Sequence, residues 1–131
     1  MENLTNFITE LLILIFIAIT FLQSGIDKAM DWQGNISWLK GHFSKTFLAG
    51  KVNLMVGIIL FLEVIAGLLA IAGIIQILIS GITTLALYAS VLAAVTLLML
   101  LFGQRVAKDY AGAFTITGYF VVVILGVYIL S

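Results

Sequence analysis

The chain has no cysteine and no proline, and charged side chains make up only 9% of its residues. The first absence excludes disulfides, thiolate metal sites, a cysteine nucleophile and dithiol redox chemistry. The second argues against proline-hinged helices, although glycine can also interrupt a membrane helix. Six basic and six acidic residues are too few to cover a soluble domain of 131 residues. Their cancellation to zero net charge argues against nucleic acid as a partner. A single histidine, His42, cannot hold a haem or a metal unless a partner chain supplies the other ligands, so no metal and no resident cofactor are expected. A quinone is conceivable, but no motif marks a site for one.

What the chain has in excess is apolar surface. At 63% apolar residues and a mean hydropathy of +1.28 it exceeds what a soluble domain can hide inside itself, so it needs lipid around it. A bilayer core asks for roughly 20 apolar residues per helix. Four runs satisfy that, at about 4–25, 53–73, 82–102 and 111–130. The first is too long for a signal-peptide core and lacks the basic start and small-residue cleavage site, so it reads as a retained helix. The segment IIQILISG between the second and third runs is too short and apolar to leave the membrane, which predicts a tight helical hairpin. The runs lack the alternation of a membrane barrel. The expected fold is an all-α integral membrane protein, a four-transmembrane-helix bundle in a single domain over 1–131 with no soluble domain.

The basic residues fall on one side of that bundle. Lys28, Lys40, Lys45 and Lys51 lie in the first connection, Arg105 and Lys108 in the third, while the other side carries none. The positive-inside rule then makes both basic connections cytoplasmic and both termini external. In the first connection, Ile36, Leu39, Phe43 and Phe47 recur at helical spacing, with Lys40, Ser44 and Lys45 on the opposite face. This predicts an amphipathic interfacial helix within about 33–48, with Trp32 and Trp38 at headgroup level and the lysines near anionic lipid. It reads either as a surface helix capping the bundle or as a lid or docking surface. His42 within it reads as a headgroup or partner contact rather than a ligand to a metal. Lys28, Lys40, Lys45, Arg105 and Lys108 read the same way, as topology anchors or contacts for lipid headgroups or a partner.

One carboxylate interrupts the apolar pattern. In FLEVIAGL (61–68), Glu63 is the only ionisable residue between 54 and 75. Counted from the start of its run it lies about ten residues in, ~15 Å deep at ~1.5 Å per residue. An acid there costs roughly 2.5–3.5 kcal/mol on insertion scales, which directs it toward protein. Gln23 and Ser24, Thr96, Thr117 and Tyr119 are all candidate partners, and the spacing does not choose among them. Glu63 either fixes helix register by hydrogen bonding or contacts a ligand, proton or quinone. Tyr88 and Tyr119 also lie deep in their spans and are the better pocket candidates among the tyrosines, each needing a hydrogen-bond partner. Ala86, Ser90 and Ala94 form a small-residue stripe on the third span, and Ala66, Gly67 and Ala70 another on the second. These predict close packing of the two spans, or of either against a partner subunit.

The segments FLQSGIDKAMDW, EVIAGLLAIAG and QRVAKDYAGAF, in this order and spacing, resemble the DoxX family of small bacterial and archaeal four-helix membrane proteins. The combination carries the resemblance: Ser24-Gly25 then Lys28 closing the first span, followed by Glu63, Gly67 and Gly73 in the second. The resemblance implies a multi-pass protein of the cell inner membrane, with relatives linked to thiosulfate:quinone oxidoreductase, a terminal oxidase and thiol-stress systems. Two functional classes follow. The first is a non-catalytic accessory or assembly subunit of a larger, respiratory or quinone-linked membrane complex, or a homo-oligomer. The second is a ligand- or quinone-binding redox component or small transporter with a pocket near Glu63.

Overall fold

The computed structural model describes residues 2–131, and no strand occurs among them. A five-residue helix α1 (Glu2–Asn6) precedes α2 (Ile8–Met30), the short α3 (Trp32–His42), α4 (Val52–Ser80), α5 (Thr84–Val106) and α6 (Tyr110–Leu130). One 3₁₀ turn, Ala49–Lys51, leads into α4. Four of these helices, α2, α4, α5 and α6, are long and apolar enough to cross a membrane.

Local chemistry sets the boundaries. Asp31 breaks α2 from α3: its backbone leaves the helical region and its carboxylate accepts the amide N–H of Gly34, capping α3. At the far end, α4 does not stop near residue 73 as the hydropathy suggests but runs through IIQILIS to Ser80. Gly81, at φ 71°, closes it in a left-handed turn that favours glycine, with its N–H donated to Ile77 O at 2.8 Å. Gln76 explains how a polar residue is carried inside α4. Its side-chain oxygen accepts the amide N–H of Leu85 at 3.1 Å and so satisfies the first turn of α5. The hairpin is therefore as tight as expected, but its turn is only 81–83. Between α5 and α6, Asp109 caps the next helix by accepting from Gly112 N at 2.9 Å.

The helices pack in chain order, α2 on α4, α4 on α5 and α5 on α6, with a lighter α6–α2 contact completing the bundle. Leu14, Ile17 and Phe21 from α2 meet Ala66 and Ala70 from α4, Ala89 and Leu97 from α5 and Val123 from α6 in the main core. Small residues set the spacing. A Cβ added at Gly73 would lie 2.9 Å from the backbone of Ala86, so α4 and α5 touch almost backbone to backbone there. Gly67 instead faces α2, beneath Leu22, and Ser90 on α5 faces α6 at Gly126. Ala70, Ala86, Ser90 and Ala94 are all buried. The small-residue faces thus serve three different helix contacts rather than the α4–α5 contact alone.

At the end carrying the basic connections, a second cluster of Ile36, Phe43, Leu48, Val52 and Val56 holds α3 and the following turns against the start of α4. Helix α3 stops at His42, so Phe47 falls outside it and is 70% exposed, in edge contact with Phe102. Lys40, Lys45 and Lys51 are exposed around this end, as are Arg105 and Lys108.

Candidate functional site

The antiparallel register of α2 and α4 determines what Glu63 meets. Gly25 lies against Val64 and Leu22 against Gly67, which puts Glu63 level with Ile26, near the C-terminal end of α2. Two residues further on, Lys28 bends its flexible stem back into the bundle. Its ammonium lies 2.9 Å from Glu63 Oε1 and donates to Ser24 Oγ at 2.7 Å. The Glu63 side chain is 4% exposed and that of Lys28 19%. A carboxylate that would be costly alone in an apolar helix is matched by one cation, and the charges cancel locally. The close contact is ionic: Glu63 Oε1 accepts no directed hydrogen bond, so the carboxylate keeps accepting capacity.

Glu63 and Lys28 both line a cavity of about 560 Å³. All of the long helices and α3 line it. The polar groups Gln23, Ser24, Asp27 and Lys28 come from α2, Glu63 from α4 and Gln104 from α5. Tyr119 of α6 and Trp38 of α3 add aromatic surface, and Phe21, Ile59 and Leu97 contribute apolar floor. The space exists because α2 and α6 approach closely only at the opposite end, where a Cβ on Gly126 would come 2.8 Å from Ile13. Toward the basic end Phe16 touches Tyr119 edge-on at 6.0 Å, and beyond that both helices border the cavity.

Helix α3 forms the outer wall of the cavity, and His42 anchors it. The His42 ring stacks on Trp38 with centroids 4.7 Å apart, and its Nε2 lies 3.0 Å from Gln104 Oε1 and 3.7 Å from Asp109 Oδ2. A residue expected to face headgroups instead links α3 to the α5–α6 connection. Arg105 lies over the Tyr110 ring at 5.2 Å on the exposed side of the same connection.

Of the residues singled out in the sequence, the structure brings together Gln23, Ser24, Glu63 and Tyr119 around this cavity, and adds Lys28 to them. Assigned from sequence to headgroup or partner contact, Lys28 is the partner of Glu63; its position at a helix end hid the reach of its side chain. Tyr88 is not in the cavity: it is 57% exposed on the outside of α5. Thr96 and Thr117 do not pair with Glu63. Their hydroxyls donate to Leu92 O and Ala113 O within their own helices. Trp38 and Gln104 were missed as cavity residues, and no sequence signal on α5 pointed to Gln104. No group of three or more His, Cys, Asp or Glu that could hold a metal occurs among the described residues. No family model matches the chain, and neither a curated protein nor a solved structure matches it.

Proposed function

We propose that this chain is a DoxX-like membrane protein of the cell inner membrane that binds a small uncharged polar head group, such as a quinone ring, beside Lys28 and Glu63. One observation carries the reading: a largely buried, locally neutral ion pair lines a cavity bordered by every long helix. An anionic head would meet Glu63 and Asp27, and a cationic one Lys28. A neutral head with carbonyl groups can accept an N–H from Lys28, which Glu63 holds in place, and one with hydroxyl groups can also donate to Glu63, without breaking the pair. The DoxX resemblance itself rests on the segments quoted above. In this reading the basic connections are cytoplasmic, the termini are external, and α3 lies at the interface with Trp38 and Lys40 toward the headgroups.

The test uses the position of Trp38 on the cavity wall. A Trp32→Phe background leaves Trp38 as the only tryptophan. In nanodiscs, a tail-less dimethoxy-benzoquinone should quench Trp38 saturably, with at least tenfold weaker binding in Glu63→Gln and Lys28→Gln variants that remain folded. Quenching that rises linearly and identically in all three proteins would overturn the proposal.

An accessory role in a larger complex is compatible with such a site and is favoured by one feature of α6. Its buried residues are few, Ala113, Val123, Gly126 and Leu130, while Phe114 and Tyr128 are 80% and 78% exposed. Large aromatic groups on a sparsely packed outer helix suit contact with another membrane protein as well as with lipid. Purification in mild detergent from the native membrane, with and without Phe114→Ala, tests this: a stoichiometric partner lost in the variant supports the subunit role, and migration of the wild type alone opposes it.

A further inference from the structure

We propose that the ligand is a single-tailed lipid whose apolar chain leaves the cavity sideways, between α4 and α5, through a gap filled by the side chains of Met55, Ile59 and Met99. The proposal rests on the reading that the cavity takes a polar head.

The observation behind it is a second cavity, of about 410 Å³, on the outer side of the α4–α5 pair. Besides the three residues just named, Ile58 lines it from α4, Leu48 from the turns before α4, and Val95, Leu98 and Phe102 from α5, so no polar side chain takes part. Met55, Ile59 and Met99 belong to both cavities. The polar chamber and the apolar groove are therefore separated by one layer of side chains. Two of the three are methionines, unbranched and with three rotatable bonds, the side chains best able to move aside and repack around a guest. Ile59, 8% exposed, is the fixed member of that layer.

The packing explains why the groove is at this end. Gly73 and Ala86 let α4 and α5 touch near the hairpin. Toward the basic end the same interface carries Met55, Ile58, Leu98 and Phe102, whose bulk holds the helices apart and leaves a furrow between them. On the outer side, Val95, Leu98 and Phe102 are 46%, 49% and 57% exposed, so the furrow opens where an acyl or isoprenoid chain would meet bilayer hydrocarbon. The occupant is thus defined at both ends: a neutral head with hydrogen-bonding oxygens at Lys28 and Glu63, and one long apolar chain past the methionines. The groove has no polar group for a second head, and its continuity with the cavity makes it the exit path for the tail of the molecule bound there.

The experiment compares two probes with the same head, the tail-less dimethoxy-benzoquinone and its decyl derivative, with affinities from Trp38 quenching in nanodiscs expressed as mole fraction in the bilayer. The decyl probe should bind at least tenfold tighter. Filling the furrow at two residues that do not line the polar cavity, Val95→Phe with Leu98→Phe, should remove that advantage and leave the tail-less probe unchanged. Equal affinity of the two probes in the wild type, or equal effects of the variant on both, would overturn the tail path while leaving the head site standing. If the tail-less probe fails to bind at all, both readings fall. Should the double variant not fold, a decyl probe carrying a terminal diazirine decides on the wild type: labelling concentrated on 95–102 supports the path, and labelling spread over the outer faces of α2 and α6 refutes it.

Discussion

Lys28 and Glu63 are joined across two antiparallel helices, ammonium to carboxylate at 2.9 Å, inside a segment with no other charge within reach on α4. The energetic weight of such a pair lies in what happens when it is broken. Removing Lys28 leaves a nearly buried carboxylate uncompensated, so Lys28→Ala should destabilise the bundle by about 3 kcal/mol, the lower end for buried pairs because the lysine stays partly exposed. Removing both, as Lys28→Met with Glu63→Leu, should recover most of that loss. Thermal unfolding of the wild type, Lys28→Met, Glu63→Leu and the double variant in one detergent measures the coupling; additive losses would refute the pairing.

Ser90 predicts a change of the opposite sign. Its hydroxyl is fully buried, facing Gly126, and finds no hydrogen-bond partner. Ser90→Ala should therefore stabilise the fold, by about 1 kcal/mol, because it removes an unsatisfied polar atom and improves helix propensity. A lowered melting temperature would show that the hydroxyl is satisfied after all.

Gly73 should tolerate nothing larger than itself. A Cβ there would press on the backbone of Ala86, which cannot rotate away, so Gly73→Val should cost about 1–3 kcal/mol by forcing α4 from α5. Gly41, with open space around its Cβ position, provides the control: Gly41→Ala should be neutral or slightly stabilising. Comparable losses at both positions would remove the close-approach explanation.

His42 fixes the outer wall of the cavity. His42→Ala deletes the contact with Gln104 and the stack on Trp38, each a modest term of about 1 kcal/mol. The amides of α3 should then exchange with deuterium up to about tenfold faster, while those of α4 beyond Glu63 stay unchanged. Unaltered exchange in 32–42 would mean that the apolar cluster of Ile36 and Phe43 holds α3 without help.

Much of the architecture was legible in the sequence, because lipid imposes a length and a composition on every spanning helix that few residues can disguise. The four long helices fall within a few residues of the apolar runs. The main departure is the extension of α4 to Ser80, through Gln76, whose side chain caps the neighbouring helix. The site was legible in part. Glu63 stood out by its cost, and Ser24 and Gln23 as polar residues at a depth that could match it. Lys28 was read by the position of its Cα, although a four-carbon stem lets the charge sit a full turn away. Tyr88 was placed by depth along its helix, which says nothing of the direction its ring faces; that depends on how α5 is rotated against α4 and α6. Gln104 and Trp38 line one cavity, each against His42, because α3 folds back toward the end of α5, a tertiary event without local signature.

The order of Lys28 and Glu63 along the chain has a consequence for biosynthesis. Helix α2 leaves the ribosome first, so its lysine must wait outside hydrocarbon until the fourth helix delivers the carboxylate, and only then can the end of α2 settle to its final depth. A nascent chain halted before Glu63 should hold Lys28 at the water boundary, and a maleimide-reactive cysteine at Ile26, in a chain that keeps Lys28, should be labelled until α4 is complete and become protected afterwards.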